Sequence, residues 1–374
     1  EASILYDTTN FFTYIDEPTS SELARTGHSK EFRHHLRQVG LALAVDKAYG
    51  VPFFYRVYRG NSHDSKTFAA VIDELVQKIK RTFSGVDDLV LILDKGNNSK
   101  KNFSQLKNKI HWVGSLVPSQ YPELIDKDLA AFDEEYQDIL FCATRKQIMG
   151  IDCLVVSTYR PSLARKQEFT LQSGLLRLTN EIQAKWVTYK KHPTNVPPGI
   201  NTLLKESRYG KFLRLEVRDG QLIYAIVDSE REAARQRFGK NLLFTDNVGA
   251  GAEWVISNYQ SKYKIEDSFK LLKSTGLIRF RPIRHYTDTK ICAFAFCCVT
   301  ALMLMKAVEL ICIESGLHMS PELIKEELND IKAVTLAYSP RDVQLEITKR
   351  SSVQQKLWDL FRLEEIIEQL PYTA

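Results

Sequence analysis

In the first third of the chain, segments with a strand-like pattern of apolar residues alternate with segments that have a helix-like pattern. Short apolar, β-prone runs predict five strands, at residues 3–14, 39–45, 51–58, 88–93 and 111–117. Helical spacing of apolar residues predicts two helices, at 65–83 and 99–109. Asp64 or Ser65 is the expected N-cap of the first helix. The predicted order of elements is therefore β-β-β-α-β-α-β.

This order of elements indicates how the strands are arranged. A turn that ends at Gly50 joins the second and third strands into a hairpin. The strand at 88–93 is apolar from Leu89 onwards, as expected where both faces of a sheet are covered. Three strands in an antiparallel meander followed by β-α-β crossovers is the order of a ribonuclease H-like sheet. The predicted fold class is α/β, with a mixed sheet flanked by helices and interrupted by a β-rich insertion.

The pattern changes after residue 117 and divides the chain into four predicted segments. Beyond that point, short β-like runs surround one helical pattern, and an alternating hairpin turns at Asp219-Gly220. Four further helices are predicted, at 253–274, 289–314, 321–331 and 353–369. We expect a first part of the catalytic core at 1–117, a β-rich insertion at 118–247, a second part of the core at 248–315 and a helical C-terminal region at 316–374.

Composition, charge and cysteine content narrow the class of protein. The chain has 374 residues, of which 44% are hydrophobic and 26% charged, as is usual for a globular protein. Its net charge of +5 is compatible with a polyanionic partner but supports one only weakly. The uncharged run 291–305 is too short to cross a bilayer, so we expect a buried helix and no membrane contact. Six cysteines without a C-x-x-C pair indicate reduced thiols and a reducing cytoplasm. Because Glu1 already opens a β-prone run, we expect the chain to continue an earlier segment.

One face of the predicted helix at 253–274 holds four chemically distinctive residues, Tyr259, Lys262, Glu266 and Lys273. They are spaced three, four and seven residues apart, so at ~100° per residue they fall within roughly 60° of arc. An ordinary solvated face mixes its charges over a wider arc. This arrangement suits a single metal-binding acid held beside a phosphate backbone.

Three acids stand out by their positions. Asp7 interrupts an apolar strand, Asp94 directly follows the fully apolar strand, and Glu266 lies on the helix face. Each alone is more often a cap or surface residue, but the carboxyl ends of neighbouring strands converge where open α/β sheets bind ligands. Carboxylates are hard oxygen ligands that suit Mg²⁺ or Mn²⁺. Two such ions about 3.5–4 Å apart can clamp the attacking and leaving oxygens of a phosphoryl transfer.

These motifs resemble those of the DDE transposases of bacterial insertion sequences, in the IS-four type subgroup that has a Y-R-E-K helix and a β-rich insertion. The resemblance spans nearly the whole chain, and the spacing Y-x2-R-x3-E-x6-K is matched at every step. Further signatures lie at residues 6–10, 60–66, 94–96, 243–246 and 281–288. Lys262 and Lys95 stand where the family has arginine, which keeps the charge but loses the bidentate fork to phosphate.

The resemblance implies a metal-dependent enzyme that cleaves and joins DNA in cut-and-paste transposition. Asp7, Asp94 and Glu266 would be the catalytic residues and would hold two Mg²⁺ ions, for which Mn²⁺ could substitute. Water activated by one ion would nick the transposon end. The freed 3′-hydroxyl would then attack either the opposite strand or target DNA.

The resemblance also implies the partners of the chain. They would be double-stranded DNA, at the transposon ends and the target, and a second copy in a synaptic homodimer, in the bacterial cytoplasm and associated with the nucleoid. Phosphate contacts that position DNA without reading its sequence are expected from Tyr259, Lys262, Lys270, Lys273 and Arg284. Lys264, Arg279 and Arg281 would extend this basic stripe.

Several other features have plainer interpretations, and two rival functions stay open. The spacing of His28, His34, His35 and His63 fits no zinc pattern. Core packing is the favoured role of Tyr159, Trp186 and Tyr189, over stacking on a flipped base. The rival functions are a domesticated transposase that binds DNA without cutting it, and a ribonuclease H-like nuclease without strand transfer. The long insertion and the helix face favour transposition.

Overall fold

The computed structural model describes residues 2–15, 19–27, 29, 31–86, 88–189, 194–339 and 342–369. The chain divides into two compact units. The core unit combines residues 1–111 and 260–374, and the inserted unit is Trp112–Tyr259. His28 lies outside the described residues. The predicted division into four segments stays a prediction.

Strands occur in both units. They are β1 (Ala2–Phe12), β2 (Arg25–Thr26), β3 (Arg37–Asp46), β4 (Pro52–Arg59), β5 (Leu89–Ile92), β6 (His111–Ser115), β7 (Glu134–Tyr136), β8 (Ile139–Ile148), β9 (Ile151–Tyr159), β10 (Leu213–Arg218), β11 (Gln221–Ile226), β12 (Lys240–Thr245), β13 (Ala333–Ser339) and β14 (Asp342–Ile347).

Helices follow the predicted order closely. They are α1 (Asp64–Thr82), α2 (Lys100–Leu106), α3 (Pro122–Ile125), α4 (Pro161–Val187), α5 (Pro198–Glu206), α6 (Asp228–Arg235), α7 (Ala252–Gln260), α8 (Tyr263–Lys273), α9 (Asp288–Glu314), α10 (Pro321–Asp330), α11 (Ser352–Leu360) and α12 (Leu363–Glu368). Short 3₁₀ turns occur at Lys95–Asn97, Pro118–Gln120, Leu129–Ala131 and Gly210–Phe212.

The core unit contains a mixed sheet in the order β4-β3-β1-β5. β3 pairs antiparallel with both β1 and β4, and β1 pairs parallel with β5. β1 and β3 are buried along almost their whole length, as expected for strands whose two faces are both covered. The apolar stripe of α1 is buried as its periodicity predicts. The predicted α/β class with a mixed sheet is confirmed.

The inserted unit is built on antiparallel strands in the order β6-β12-β9-β8-β7. A separate apolar cluster forms around α4, where Leu178, Ile182 and Trp186 are buried. Core packing is therefore the role of Trp186. The predicted hairpin forms from β10 and β11, and both turn residues, Asp219 and Gly220, have positive φ angles, as a tight two-residue hairpin requires.

Several predicted elements differ in detail. The N-cap of α1 is His63, which makes no side-chain capping bond, so neither Asp64 nor Ser65 has that role. The C-terminal region is not entirely helical, because β13 and β14 form an antiparallel pair. The helix predicted at 353–369 is two helices, separated at Phe361 and Arg362, where the latter has a φ of 49°.

Helix α9 is less buried than its composition predicts. It is long and apolar enough to cross a membrane by those two criteria alone, yet only 33% of its most apolar window is buried. It packs on β4, α8 and α10. Its outer side exposes Phe296, Leu304 and Ile311, among others. The prediction of a buried core helix is therefore wrong for that side.

The helix predicted at 253–274 is also divided. α7 ends at Gln260 and α8 begins at Tyr263. Between them the Lys264 N–H bonds to the Ser261 carbonyl, a tighter i→i+3 contact than in an α-helix. Tyr259 therefore lies on α7, whereas Glu266 and Lys273 lie on α8.

Candidate functional site

Asp7 and Asp94 lie on neighbouring parallel strands of the core unit. Ile4 is level with Leu91 and Leu5 with Ile92 in the β1–β5 pairing. Extended by two residues beyond this observed pairing, the same register would place Asp7 opposite Asp94, and neighbouring strands lie about 4.8 Å apart. Both side chains are half-buried. The convergence of these two carboxylates stays a prediction.

The ammonium group of Lys262 contacts the second of these acids. Lys262 Nζ lies 2.9 Å from Asp94 Oδ1, and only 12% of the Lys262 side chain is exposed. Burial by itself would raise the pKa of the Asp94 carboxyl, but the Lys262 ammonium and the Lys95 backbone N–H outweigh burial and lower it. Asp94 is therefore held as a carboxylate, with a cation already beside it.

Glu266 lies one helical turn after Lys262, on α8, and its side chain is exposed. Within the described ranges, the structure gathers no set of three Asp, Glu, His or Cys side chains that could hold a metal ion. The two aspartates offer the hard oxygen donors that a divalent ion requires. The structure does not bring Glu266 into a ligand group with them, and its assignment stays a prediction.

The remaining predicted DNA-contact residues lie in different surroundings. Lys273 Nζ donates to Thr9 Oγ1 over 3.0 Å and lies 3.2 Å from a carboxylate oxygen of Glu31. Lys270 is exposed and paired with Asp267 at 2.6 Å. The exposed Arg284 guanidinium lies over the Tyr14 ring.

Tyr259 belongs to the inserted unit, where its hydroxyl lies 2.8 Å from Ser115 Oγ.

Lys264, which was predicted to belong to the basic stripe along the helix, has a structural role instead. Lys264 Nζ donates to the backbone carbonyls of Lys47 and Ala48, at 2.8 and 2.6 Å, and so holds the β3–β4 turn. Burial lowers the pKa of Lys264.

Two acids near this region were not predicted as site residues. Glu31 contacts both Lys273 and Arg281, although the polar stretch around it shows no distinguishing sequence pattern. Asp64 lies beside the Asp94 loop, because a Cβ placed on Gly96 would come 3.3 Å from Asp64 Oδ2. Burial is the largest cause that raises the pKa of Tyr58, and the negative charges of Asp64 and Asp7 raise it further. The 60–66 signature contains Asp64 but gives it no role.

Among the described residues, the histidines and cysteines form no group of three or more that could hold a metal ion. His34 Nδ1 accepts a hydrogen bond from the Ser29 backbone, and His285 packs against the Phe294 ring at 4.9 Å. All six cysteines are free thiols. The chemistry of the core unit is therefore concentrated around the aspartate pair and the cations of α8.

Three comparisons place the chain among known proteins. A search of curated proteins found no match. Among solved structures, the chain is similar to piggyBac transposase, as seen in the cryo-EM structure of its synaptic complex with hairpin DNA. The identity is 8% and the TM-score 0.43, and the alignment covers 100% of this chain and 55% of that one. The chain thus spans about half the length of that transposase.

The family model described as "Transposase DDE domain" matches residues 17–303. The matched range contains Asp94, Lys262 and Glu266, whereas Asp7 precedes it. Because the match covers well over half of the sequence, the chain belongs to the transposase DDE domain family.

Proposed function

We propose that this chain is the catalytic part of a transposase that cleaves DNA strands at the ends of an insertion sequence and joins them to new DNA. One observation carries the proposal: Lys262 Nζ lies 2.9 Å from Asp94 Oδ1, and the β1–β5 register, extended by two residues, would place Asp7 opposite Asp94. Family membership supports the same chemistry. Phosphoryl transfer needs two features, oxygen ligands for divalent cations and positive charge near phosphate.

In this proposal Asp7 and Asp94 hold divalent ions, Mg²⁺ or Mn²⁺, and Glu266 is the third ligand. Two bound ions would neutralise charge on the attacking and leaving oxygens at the scissile phosphate. The lowered pKa of Asp94 keeps its carboxylate available as a ligand at neutral pH. The half-buried position of both aspartates limits water around them, which strengthens their electrostatic interactions.

The proposed roles of the cations follow from where their side chains are held. Lys262 would hold Asp94 in place and then contact DNA phosphate. Lys273, fixed between Thr9 and Glu31, would contact a phosphate farther along the strand. Tyr259, Lys270 and Arg284 would add contacts that set the position of the duplex without reading its sequence.

The proposed partners are double-stranded DNA and a second copy of the chain. Cutting both ends of an element requires two active sites that act together, so we expect a homodimer on paired ends. The proposed setting is the bacterial cytoplasm, on the nucleoid, which suits a protein with six free thiols.

The test is cleavage of a labelled insertion-end duplex in the presence of Mg²⁺. The wild-type chain, within its full-length protein, should nick the duplex and then join it to target DNA. Asp7→Asn, Asp94→Asn and Glu266→Gln should each lower cleavage by at least ~10³-fold while still binding the duplex. Asp267→Asn is the matched control, because it removes an exposed carboxylate from the adjacent helix position.

The same assay separates the rival functions. If Glu266→Gln cleaves as fast as the wild type, Glu266 is not a ligand and the triad is wrong. Binding without any cleavage by the wild type would favour a domesticated DNA-binding protein. Cleavage without joining would favour a nuclease of the ribonuclease H type.

A further inference from the structure

A single carboxylate in the core unit neutralises two cations. Glu31 lies 3.2 Å from Lys273 Nζ through Oε1 and contacts the Arg281 guanidinium through Oε2. Only 14% of the Glu31 side chain is exposed. An ammonium and a guanidinium that converge on two oxygens of one anion form an arrangement that fits a phosphate as well as a carboxylate.

The two cations are fixed to regular structure. Lys273 is the last residue of α8 and also donates to Thr9 on β1. Arg281 donates from Nε to the Lys273 carbonyl. The segment that carries Arg281 is held at both sides, by a bond from the Phe280 N–H to the Leu272 carbonyl and one from the Ile283 N–H to the Phe12 carbonyl.

Glu31 lies in the segment between β2 and β3. Next to it, the Phe32 N–H donates to the Ser29 carbonyl. Its own N–H donates to Ser29 Oγ. Oε1 is buried and forms an ion pair with Lys273, but among the described residues it has no hydrogen-bond donor of good geometry. A buried carboxylate oxygen without a hydrogen bond lowers the stability of the contact.

The cation pair lies on the same sheet face as the first aspartate. Thr9, which Lys273 contacts, is two residues after Asp7 on β1, and side chains two apart on a strand point to the same face. Successive residues rise about 3.3 Å along a strand. An anion bound by Lys273 and Arg281 would therefore lie close to the Asp7 side chain, as a phosphate neighbouring the scissile one would.

We infer that Glu31 competes with a DNA phosphate for Lys273 and Arg281, so that the two cations form a phosphate site which the chain itself covers. This inference rests on the proposed function, because it takes the anion to be DNA. Entry of the phosphate breaks both Glu31 ion pairs and replaces them with two of its own. The acid thus weakens the binding of a duplex that places a phosphate at this position, because the ion pairs of Glu31 must break first.

The test is equilibrium binding of a duplex without divalent ions, so that it does not depend on cleavage. Glu31→Gln should bind ~3- to 10-fold more tightly than the wild type, and its log–log dependence on salt should be steeper by about one phosphate contact. Glu74→Gln is the matched control, since it removes an exposed carboxylate paired with Arg56 and changes the net charge equally. It should bind less than ~2-fold more tightly.

A double variant assigns the gain to this site. Adding Lys273→Gln to Glu31→Gln should abolish the gain in affinity. If Glu31→Gln instead binds more weakly than the wild type, Glu31 positions the cations for DNA and the inference is overturned. An equal gain in the Glu74→Gln control would overturn it as well, because only overall charge would then matter.

Further measurements distinguish a failure of this inference from misfolding of the variant and from a failure of the proposed function. If Glu31→Gln does not fold, Glu31→Asp keeps the charge with a shorter reach and should show a smaller gain in affinity, whereas no gain would overturn the inference. Inorganic phosphate should raise the melting temperature of the glutamine variant more than that of the wild type. Loss of cleavage in the Asp7→Asn chain together with the predicted duplex binding by Glu31→Gln supports both proposals. An active triad with no gain on Glu31→Gln rejects only this one.

Discussion

The charge on Asp94 depends on one side chain, Lys262. Burial raises the pKa of a carboxyl, and a cation at hydrogen-bonding distance lowers it. At Asp94 the cation and the Lys95 N–H outweigh burial. Because the pKa is lowered in the folded chain, this carboxylate contributes stability above its unfolded pKa, and that stability is lost as the pH falls through the folded pKa.

Lys262→Gln should therefore raise the pKa of Asp94, since the burial remains after the ammonium is removed. Carboxyl ¹³C chemical shifts followed through an acid titration measure this directly. The stability lost in acid should be smaller in this variant than in the wild type. Lys270→Gln, on an exposed position of the same helix, is the control and should leave Asp94 unchanged. An equal pKa in both variants would show that Lys262 does not set the charge of Asp94.

At the residue scale, the sequence marks a residue as a candidate where that residue contradicts its surroundings. An acid inside an apolar strand, as at Asp7, or directly after one, as at Asp94, is visible in the sequence alone. Glu31 is one polar residue in a polar stretch, and its importance depends on contacts with Lys273 and Arg281, about 250 residues away. Such contacts are set by the fold and have no local signature.

At the scale of elements, α9 shows where an apolar pattern misleads. The helix is apolar on every side, so its periodicity does not distinguish an inner from an outer face. Leu302 is fully buried, while Leu304, two residues later, is 64% exposed. Only the packing of β4, α8 and α10 against one side defines the two faces.

The difference in burial between Leu302 and Leu304 can be tested with a matched pair of variants. Leu302→Ala should lower the free energy of unfolding by ~2–5 kcal/mol, because it leaves a cavity in packed core. Leu304→Ala should change it by no more than ~0.5 kcal/mol. Chemical denaturation of both variants measures the difference. Equal losses would mean that the outer face of α9 is covered in solution.

The break between α7 and α8 is a second feature that could not be predicted from the sequence. The run from Ala252 to Lys273 contains neither glycine nor proline, so no local breaker marks Ser261. By contrast, the Asp219-Gly220 turn was predictable, because its two positive φ angles demand those residue types. Local backbone chemistry can be read from sequence, whereas a break imposed by packing cannot.

At the scale of the whole molecule, the inserted unit has its own core. Ile182 and Leu178 belong to an apolar cluster whose members all come from that unit. Regions with separate cores open as separate cooperative units. The strand order of the core unit was predictable from its element sequence, but the extent of the inserted unit depends on non-local pairing, such as β6 with β12.

Ile182→Ala should consequently speed amide hydrogen exchange within Trp112–Tyr259 and leave the exchange of β1 and β3 unchanged. Leu75→Ala, in the buried stripe of α1, should have the reverse effect. Exchange followed by mass spectrometry on peptic peptides distinguishes the two. A uniform change across the chain in either variant would show that the two cores unfold as one.

The division of the core unit between two distant chain segments has a consequence for protein synthesis. Between Asp94 and Glu266 the ribosome adds 172 residues (266 − 94). At ~5–20 residues per second, roughly 10–30 s separate the two. Throughout that interval the nascent chain can pair β1 with β5 but has neither α8 nor its lysines. A chain truncated by early termination therefore carries Asp7 and Asp94 without Lys262, Glu266 and Lys273, and lacks half of the proposed site.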